Sequence, residues 1–151
     1  MKKKDWGYAV WVLFHTLAHK LKPEYPLEPA ILYKHIADIC NNLPCPDCLE
    51  HANKVLSTVN VRQVALNKDT LIQFLYSFHN LVNKKINVPE FPKEYLNIYA
   101  KANTSRIVTH FINIMNSNMN NEKLMMDSFR RQKYITNFVN YIKTNGYKYN
   151  P

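Results

Sequence analysis

The chain has 151 residues, of which 46% are hydrophobic and 21% are charged, which is ordinary for one globular domain with a hydrophobic core. The formal net charge is +9, but the basic residues are scattered and form no arginine-rich arm, which argues against a nucleic-acid partner. No run of about 18 apolar residues occurs and the N-terminus does not resemble a secretory signal, so we expect neither a membrane span nor secretion.

Apolar residues recur at three- and four-residue steps along the first two thirds of the chain, which predicts amphipathic helices. The predicted helices cover residues 6–21, 29–42, about 45–59, about 70–87 and about 93–103. Pro23 ends the first helix, and Asp69 is the predicted N-cap of the fourth. The apolar face of the fourth helix is formed by Leu71, Phe74, Leu75, Phe78 and Val82.

Residues 104–151 form a second block with two more predicted helices. The first carries Ile107, Val108, Phe111, Ile114 and Met115, and the second carries Phe129, Ile135, Phe138, Val139 and Ile142. An asparagine-rich turn over residues 116–121 joins them, and Gly146 is the predicted stop of the second. We therefore predict an all-α fold with a helical domain over residues 1–103 and a helical extension of unknown role over residues 104–151.

Cys45 and Cys48 lie two residues apart at the predicted start of the third helix. Pro46 suits the first helical position, which places Cys45 at the N-cap, where the partial positive charge of the helix end stabilises a thiolate. Cys48 lies almost one turn further, on the same face as Ala52. We therefore expect Cys45 to face outside partners and Cys48 to face the core or a cofactor.

The residues alone leave three interpretations of this pair. It can be two reduced buried thiols, a redox disulfide, or part of a zinc site with His51 and a fourth ligand such as Cys40. A thioredoxin-like redox site requires a βαβ context, which is absent, so a redox site here would be helical. Cys40 itself is either a small buried apolar residue or a resolving or intersubunit thiol close to Cys45.

Three blocks, in this order, resemble the Erv/ALR family of FAD-linked sulfhydryl oxidases, most closely its small viral members. The matching residues are Gly7, Trp11 and His15, then Cys45, Cys48 and His51, then His79, Asn80, Val82, Asn83 and Lys85. The segment Val88-Pro89-Glu90-Phe91 resembles the family's Pro-x-Phe turn, and Tyr99 lies near an expected aromatic position. The resemblance covers residues 5–103 and implies a four-helix bundle with a short fifth helix.

The resemblance also implies an activity. A substrate dithiol reduces the Cys45–Cys48 disulfide, Cys48 passes the electrons to FAD, and oxygen takes them to give hydrogen peroxide. The implied cofactor-binding residues are Gly7, Tyr8, Trp11, His15, His51, His79, Asn80, Val82, Asn83, Lys84, Lys85 and Tyr99. Flat side chains in this set suit stacking on an aromatic cofactor, amides suit its polar edges, and the lysines suit its phosphates.

The chain departs from the family at several positions. Ser57 and Lys93 stand where cellular members have a second disulfide, Tyr8 replaces a basic residue, and no cysteine follows residue 103. Electrons therefore arrive directly from a dithiol protein, for which a thioredoxin-like protein is one candidate, or through Cys40. The resemblance further implies a homodimer and, for a virus-encoded chain, a place in the host cytoplasm or the virion.

Overall fold

The computed structural model describes residues 3–117 and 125–151, and every regular element in them is helical. The α-helices are α1 (Lys3–Lys20), α2 (Glu28–Cys40), α3 (Pro46–Ser57), α4 (Val61–Val64), α5 (Lys68–Lys85), α6 (Thr104–Ser117) and α7 (Met125–Asn145). Two 3₁₀ segments cover Lys93–Lys101 and Gly146–Lys148. The predicted all-α class is confirmed. None of the described helices is long and apolar enough to cross a membrane.

Helix α1 runs through the middle of the molecule and is buried on most sides. Its buried residues are Trp6, Ala9, Val10, Leu13, Phe14, His15, Thr16, Leu17, Ala18 and Lys20. α2, α5, α6 and the 3₁₀ segment Lys93–Lys101 all pack around it. A helix that is apolar on nearly every side belongs in a core, so α1 is the element against which the others are positioned.

Helices α2, α3 and α5 complete the bundle around α1. They bury the side chains of Leu32, Ile36, Ile39, Ala52, Leu71, Leu75 and Phe78. Burying one large apolar side chain stabilises the folded state by roughly 1.5–3 kcal/mol. Leu71, Leu75 and Phe78, which the helical period predicted on the apolar face of the fourth helix, are therefore among the residues that hold the bundle together.

The start of α5 corrects one prediction. The N-cap is Asn67 rather than Asp69, because Asn67 and Thr70 form a reciprocal capping box. The Asn67 side chain accepts a hydrogen bond from the Thr70 backbone N–H at 2.9 Å, and the Thr70 hydroxyl accepts one from the Asn67 N–H at 3.1 Å. Because both backbone N–H groups have a side-chain acceptor, the capping box favours a helix that begins here. The helix therefore covers Lys68–Lys85 rather than residues 70–87.

Two other boundaries differ from the predicted ones. The third helix ends at Ser57, and a separate four-residue helix, α4, follows it behind the N-cap Asn60. The predicted helix over residues 93–103 is a run of 3₁₀ turns over Lys93–Lys101. It packs on α1 through buried Leu96 and Tyr99, and short connecting segments commonly take this tighter form.

The C-terminal extension packs on the bundle and shares its core. α6 lies along α1 and α7 contacts α2, so Val108, Phe111 and Phe138 belong to the same hydrophobic cluster as the bundle residues. The chain end is held by a backbone bond from the Asn150 N–H to the Lys20 carbonyl at 2.7 Å. The hydrophobic core therefore continues across the predicted boundary at residue 103 between the bundle and the extension. The division into two domains stays a prediction about function.

Two details of the extension differ from the prediction. Phe129, expected on the inward face, is 67% exposed. α7 does end just before Gly146, but this glycine has no positive φ, and the chain simply tightens into the 3₁₀ segment Gly146–Lys148. Of the predicted asparagine-rich turn, residues 116 and 117 are the end of α6, and residues 118–121 lie outside the described residues.

Candidate functional site

Cys45 and Cys48 are joined by a disulfide at the start of α3, with their Cα atoms 5.2 Å apart. Cys45 is the N-cap, Pro46 is the first helical residue, and the Cys45 sulfur accepts a hydrogen bond from the Cys48 backbone N–H at 3.3 Å. The predicted local geometry of the pair is confirmed. The partial positive charge of the helix end therefore lies beside both sulfurs.

Cys48 faces a cavity of about 530 Å³ between α1, α3 and α5. Its apolar walls include Trp6, Val10, Trp11, Phe14, Leu43, Ala52, Phe78 and Val82. Cys45 is half-buried and does not line the cavity, so the two sulfurs differ in their surroundings as the helix register predicts. A cavity of this size and character is typical of small-molecule and cofactor sites, which span roughly 300–1,000 Å³.

Polar and charged groups lie around the same cavity. Lys4, Asp47, His51 and Lys85 contribute to its lining. Partial burial lowers the pKa of His51, and the charges of Lys85 and Lys54 lower it further, so the neutral imidazole is favoured. The basic side chains of Lys4 and Lys85 suit a ligand that carries anionic groups.

An aromatic stack extends from the cavity along α1 and α5. The rings of Trp11 and His79 are parallel within 5° at 4.2 Å between centroids. Phe91 stacks on His79 at 4.9 Å, and Tyr99 stacks on His15 at 4.8 Å. Trp11 belongs both to the cavity wall and to this stack, so it joins the two parts of the site.

The two histidines in the stack are uncharged at neutral pH. Burial lowers the pKa of His15 to about 3, with a further contribution from His79, and burial lowers the pKa of His79 to about 4. Nε2 of His15 and Nδ1 of His79 share a hydrogen bond of 2.9 Å. His15 is fully buried, so it acts on the site by holding the His79 ring rather than by offering a surface of its own.

The amides of Asn80 and Asn83 point to the turn after α5. Asn80 Nδ2 donates to the Phe91 carbonyl at 3.3 Å, and Asn80 Oδ1 accepts from the Phe91 N–H at 2.7 Å. Asn83 lines the cavity, and its Nδ2 donates to the Pro89 carbonyl at 3.3 Å. Both amides therefore already have backbone partners.

Cys40 is a free thiol that is only 2% exposed. It lines the same cavity as Cys48. Burial raises the pKa of its thiol to about 12, so the thiolate does not form at neutral pH. The structure thus supports the buried residue over the intersubunit thiol.

The predicted site residues fall into two connected groups. The cavity brings together Gly7, Tyr8, Trp11, Cys48, His51, Val82, Asn83 and Lys85. The stack adds His15, His79 and Tyr99, and Asn80 lies beside it through its bonds to Phe91. Lys84 is exposed at the end of α5 and is not part of the cavity lining.

Sequence reasoning missed several site residues. Phe78 was predicted only on the apolar face of its helix, yet it and Phe14 both form cavity walls. Phe91 was noted only as part of a turn, although its ring stacks on both site histidines. The helical period signals that Phe14 and Phe78 face inward, but only the fold places them next to Cys48.

The residues present fit a flavin better than a metal. Apolar walls, a redox disulfide and flanking lysines suit a large planar cofactor with phosphates, and a Cβ added at Gly7 would meet only open space. For zinc, the described ranges 3–117 and 125–151 contain no group of three or more suitable ligands. The zinc alternative is therefore not favoured.

Fold and site together define a class: a helical protein whose C-x-x-C disulfide lies beside a cavity lined by aromatic side chains. The family model of the Erv1/Alr family matches residues 8–104, and the chain belongs to this family.

The chain is similar to several named relatives. A protein of Oryza sativa subsp. japonica, named FAD-linked sulfhydryl oxidase ERV1, is 31% identical over 64% of this chain and 50% of its own length. A putative FAD-linked sulfhydryl oxidase of Invertebrate iridescent virus 3 is 30% identical over 58% of this chain and 60% of its own length. A probable FAD-linked sulfhydryl oxidase of Vaccinia virus is 28% identical over 60% of this chain and 90% of its own length. The chain thus spans about half to three fifths of the first two relatives, and no solved structure matches it.

Proposed function

We propose that the chain is an FAD-dependent thiol oxidase that forms disulfide bonds in protein substrates. The observation that carries the proposal is the position of Cys48, which is in a disulfide with Cys45 and also lines the aromatic cavity. Family membership supports the same conclusion, because the relatives described above are named FAD-linked sulfhydryl oxidases.

The cavity and the stack are the proposed FAD site. The apolar walls near Cys48 suit the flat ring system. The Trp11 ring, which lines the cavity and is backed by the parallel His79 ring, offers a stacking surface at the other side. Lys4 and Lys85 are the proposed partners of the phosphates, with exposed Lys84 close to them in sequence. Gly7, Tyr8, His51, Val82 and Tyr99 complete the proposed set, while His15 acts through His79.

The disulfide does the thiol chemistry. A substrate thiolate attacks the Cys45 sulfur, because Cys45 lies outside the cavity lining, and Cys48 leaves as a thiolate that faces the cavity. The second substrate thiolate then attacks the substrate sulfur of the mixed disulfide, which releases the oxidised substrate and reduced Cys45. The start of α3 and the charge of Lys85 both favour the Cys48 thiolate.

The cycle closes when the Cys45–Cys48 bond forms again and two electrons leave through Cys48. FAD held by the cavity residues would supply a two-electron acceptor that oxygen can reoxidise, with hydrogen peroxide as the product. Each cycle therefore converts two substrate thiols and one oxygen molecule into one disulfide and one hydrogen peroxide. Buried Cys40 takes no part in this exchange, because its thiol stays protonated.

The partners follow from this chemistry. A dithiol protein is the proposed substrate, because the Cys45–Cys48 disulfide exchanges with a pair of thiols, and a thioredoxin-like protein is one candidate. A homodimer is proposed from the family alone. The viral relatives support a place in the host cytoplasm or the virion, where an added disulfide-forming activity has a use.

The direct test is an absorption spectrum of the purified protein after incubation with FAD and removal of free cofactor. We expect flavin bands near ~450 nm that bleach on addition of dithiothreitol and return as oxygen is consumed. A Gly7→Trp variant is the matched control, because its side chain projects into the space that Gly7 leaves open and should reduce the retained flavin. A colourless wild-type protein would contradict the proposal.

A further inference from the structure

We propose that Asn80 and Asn83 are positioning residues that hold a strap, residues 87–92, against the cofactor site. The inference rests on the proposed function, because the strap completes the proposed FAD site. Both asparagines belong to the family motif and were predicted from the resemblance to bind the cofactor. Their hydrogen bonds give them a different task, which is to fix the backbone of the strap.

The two amides hold the strap at two points. Asn80 makes a donor and acceptor pair with a single residue, Phe91, and so fixes its backbone from both sides. Asn83 donates to Pro89 through its side chain, and its own backbone carbonyl accepts from the Val88 N–H at 2.8 Å. Since they are three residues apart on α5, both side chains lie on one helix face and can reach the same segment.

The strap requires such external bonds. Pro89 and Pro92 have no backbone N–H, so the segment cannot form a continuous set of backbone hydrogen bonds. Asn87 begins it with a φ of 58°, which lies in the left-handed region. Pro89 and Glu90 are exposed, so packing holds little of this stretch. The side-chain amides of Asn80 and Asn83 therefore provide hydrogen bonds to the strap backbone that regular secondary structure does not provide.

Both parts of the site depend on where the strap lies. Val88 lines the cavity next to Cys48, and Phe91 stacks on His79 at 4.9 Å and on His15 at 5.6 Å. A shift of the strap would therefore move a cavity wall and an aromatic ring of the stack together. This explains why an amide suits position 80: a carboxylate could accept from the Phe91 N–H but could not donate to its carbonyl.

The first experiment measures hydrogen exchange of the Phe91 backbone N–H without FAD, so it does not depend on the proposed function. In the wild type this amide should be protected, and Asn80→Ala should speed its exchange by about tenfold or more. Asn97→Ala, which removes an exposed asparagine amide from the next segment, is the matched control and should leave the exchange unchanged. An unprotected Phe91 amide in the wild type would overturn the proposal, even if the variant failed to fold.

The second experiment separates positioning from direct contact with FAD. We expect Asn80→Ala to raise the FAD dissociation constant about tenfold, and to do so much less in a Phe91→Ala background, because the ring that the strap positions is then absent. Equal losses in both backgrounds would show that Asn80 acts on the cofactor directly and would overturn the inference. If the wild type binds no FAD, the proposed function fails, and the exchange experiment still decides the role of Asn80.

Discussion

The cavity beside Cys48 and the aromatic stack around His79 share Trp11, yet they are built in different ways. The cavity is open space between helices, lined by Cys48, apolar walls and lysines. The stack is closed, with ring centroids 4.2–5.1 Å apart for the pairs of His79 with Trp11, Phe91 and His15. One region has room and a reactive group, and the other has fixed flat surfaces and no charge.

This difference suggests a division of tasks. Changes in the cavity should alter electron transfer, because Cys48 lies there, whereas changes in the stack should alter cofactor affinity, because the stack offers surface without a reactive group. The proposed function predicts that turnover and binding can be separated by single substitutions.

The largest effect is expected for Cys48→Ser in the cavity. Turnover of a dithiol substrate should fall by about a thousandfold or more, because no sulfur remains to face the cofactor. FAD content should stay within about twofold of the wild type, because a hydroxyl replaces a thiol of similar size. Oxygen consumption and absorbance measure the two quantities.

The control for this variant is Ser57→Ala, an exposed change at the other end of α3, which should keep full turnover. Full activity in Cys48→Ser would show that the cavity is not the path of the electrons. A joint loss of flavin and turnover would remove the separation between the two regions.

In the stack, His79→Ala should produce the opposite pattern. We expect the FAD dissociation constant to rise about tenfold, since removing the ring also leaves the His15 imidazole without its partner. At saturating FAD, turnover should recover to within a few-fold of the wild type. Isothermal titration gives the affinity, and His110→Ala on the exposed side of α6 is the matched surface control. Unchanged affinity would contradict a cofactor role of the stack.

The stack also predicts a pH dependence of stability. His15 and His79 have folded pKa values of about 3 and about 4, below the ordinary 6.5, so the unfolded chain binds more protons between these limits. The contribution of the two histidines to the free energy of unfolding is therefore fully present above pH 6.5. It falls as the pH decreases, by about 1–2 kcal/mol per histidine at pH 5. Urea unfolding of the wild type and His79→Gln measures this, and the variant should show a shallower decrease. If the free energy of unfolding fell equally with pH in the wild type and in His79→Gln, the burial of a neutral His79 would be contradicted.

The smallest expected change concerns Cys40, which lines the cavity but is buried. Iodoacetamide should leave Cys40 unlabelled in the folded protein and label it only after unfolding, because its thiol is inaccessible and has a pKa of about 12. Mild reduction should expose Cys45 to the reagent first. Mass spectrometry of the labelled peptides gives the result, and labelling of Cys40 in the native protein would assign it to the reactive part of the cavity.

Much of the cavity could be predicted from local sequence. Pro46 predicted Cys45 at the N-cap, and the helical period predicted that Cys48 faces inward. Both predictions depend on the properties of a single helix. The error at Asp69 has a local cause as well: Asn67 is an equally good cap, and its pairing with Thr70 decided the start.

The stack and the strap could not be predicted in the same way. Phe91 reaches His15 and His79 only because the chain reverses after α5. Hydrogen bonds between the Asn80 side chain and the Phe91 backbone, 11 residues apart, hold this reversal. The packing of α6 on α1 likewise depends on tertiary contact. Periodicity marks which face of an element is apolar, but it does not identify the element that covers it.

The stoichiometry of the reaction is the sharpest test of the proposed thiol oxidase activity. The FAD-incubated protein is given a reduced dithiol protein in air, and oxygen consumed, hydrogen peroxide formed and substrate disulfide formed are measured together. The proposed function predicts one peroxide for each disulfide in repeated turnover. Without oxygen it predicts no more disulfide than the Cys45–Cys48 pair and the bound FAD can form by accepting electrons, and with Cys48→Ser it predicts none. Failure to form any disulfide with bound FAD, or repeated turnover to disulfide without oxygen uptake, would contradict it.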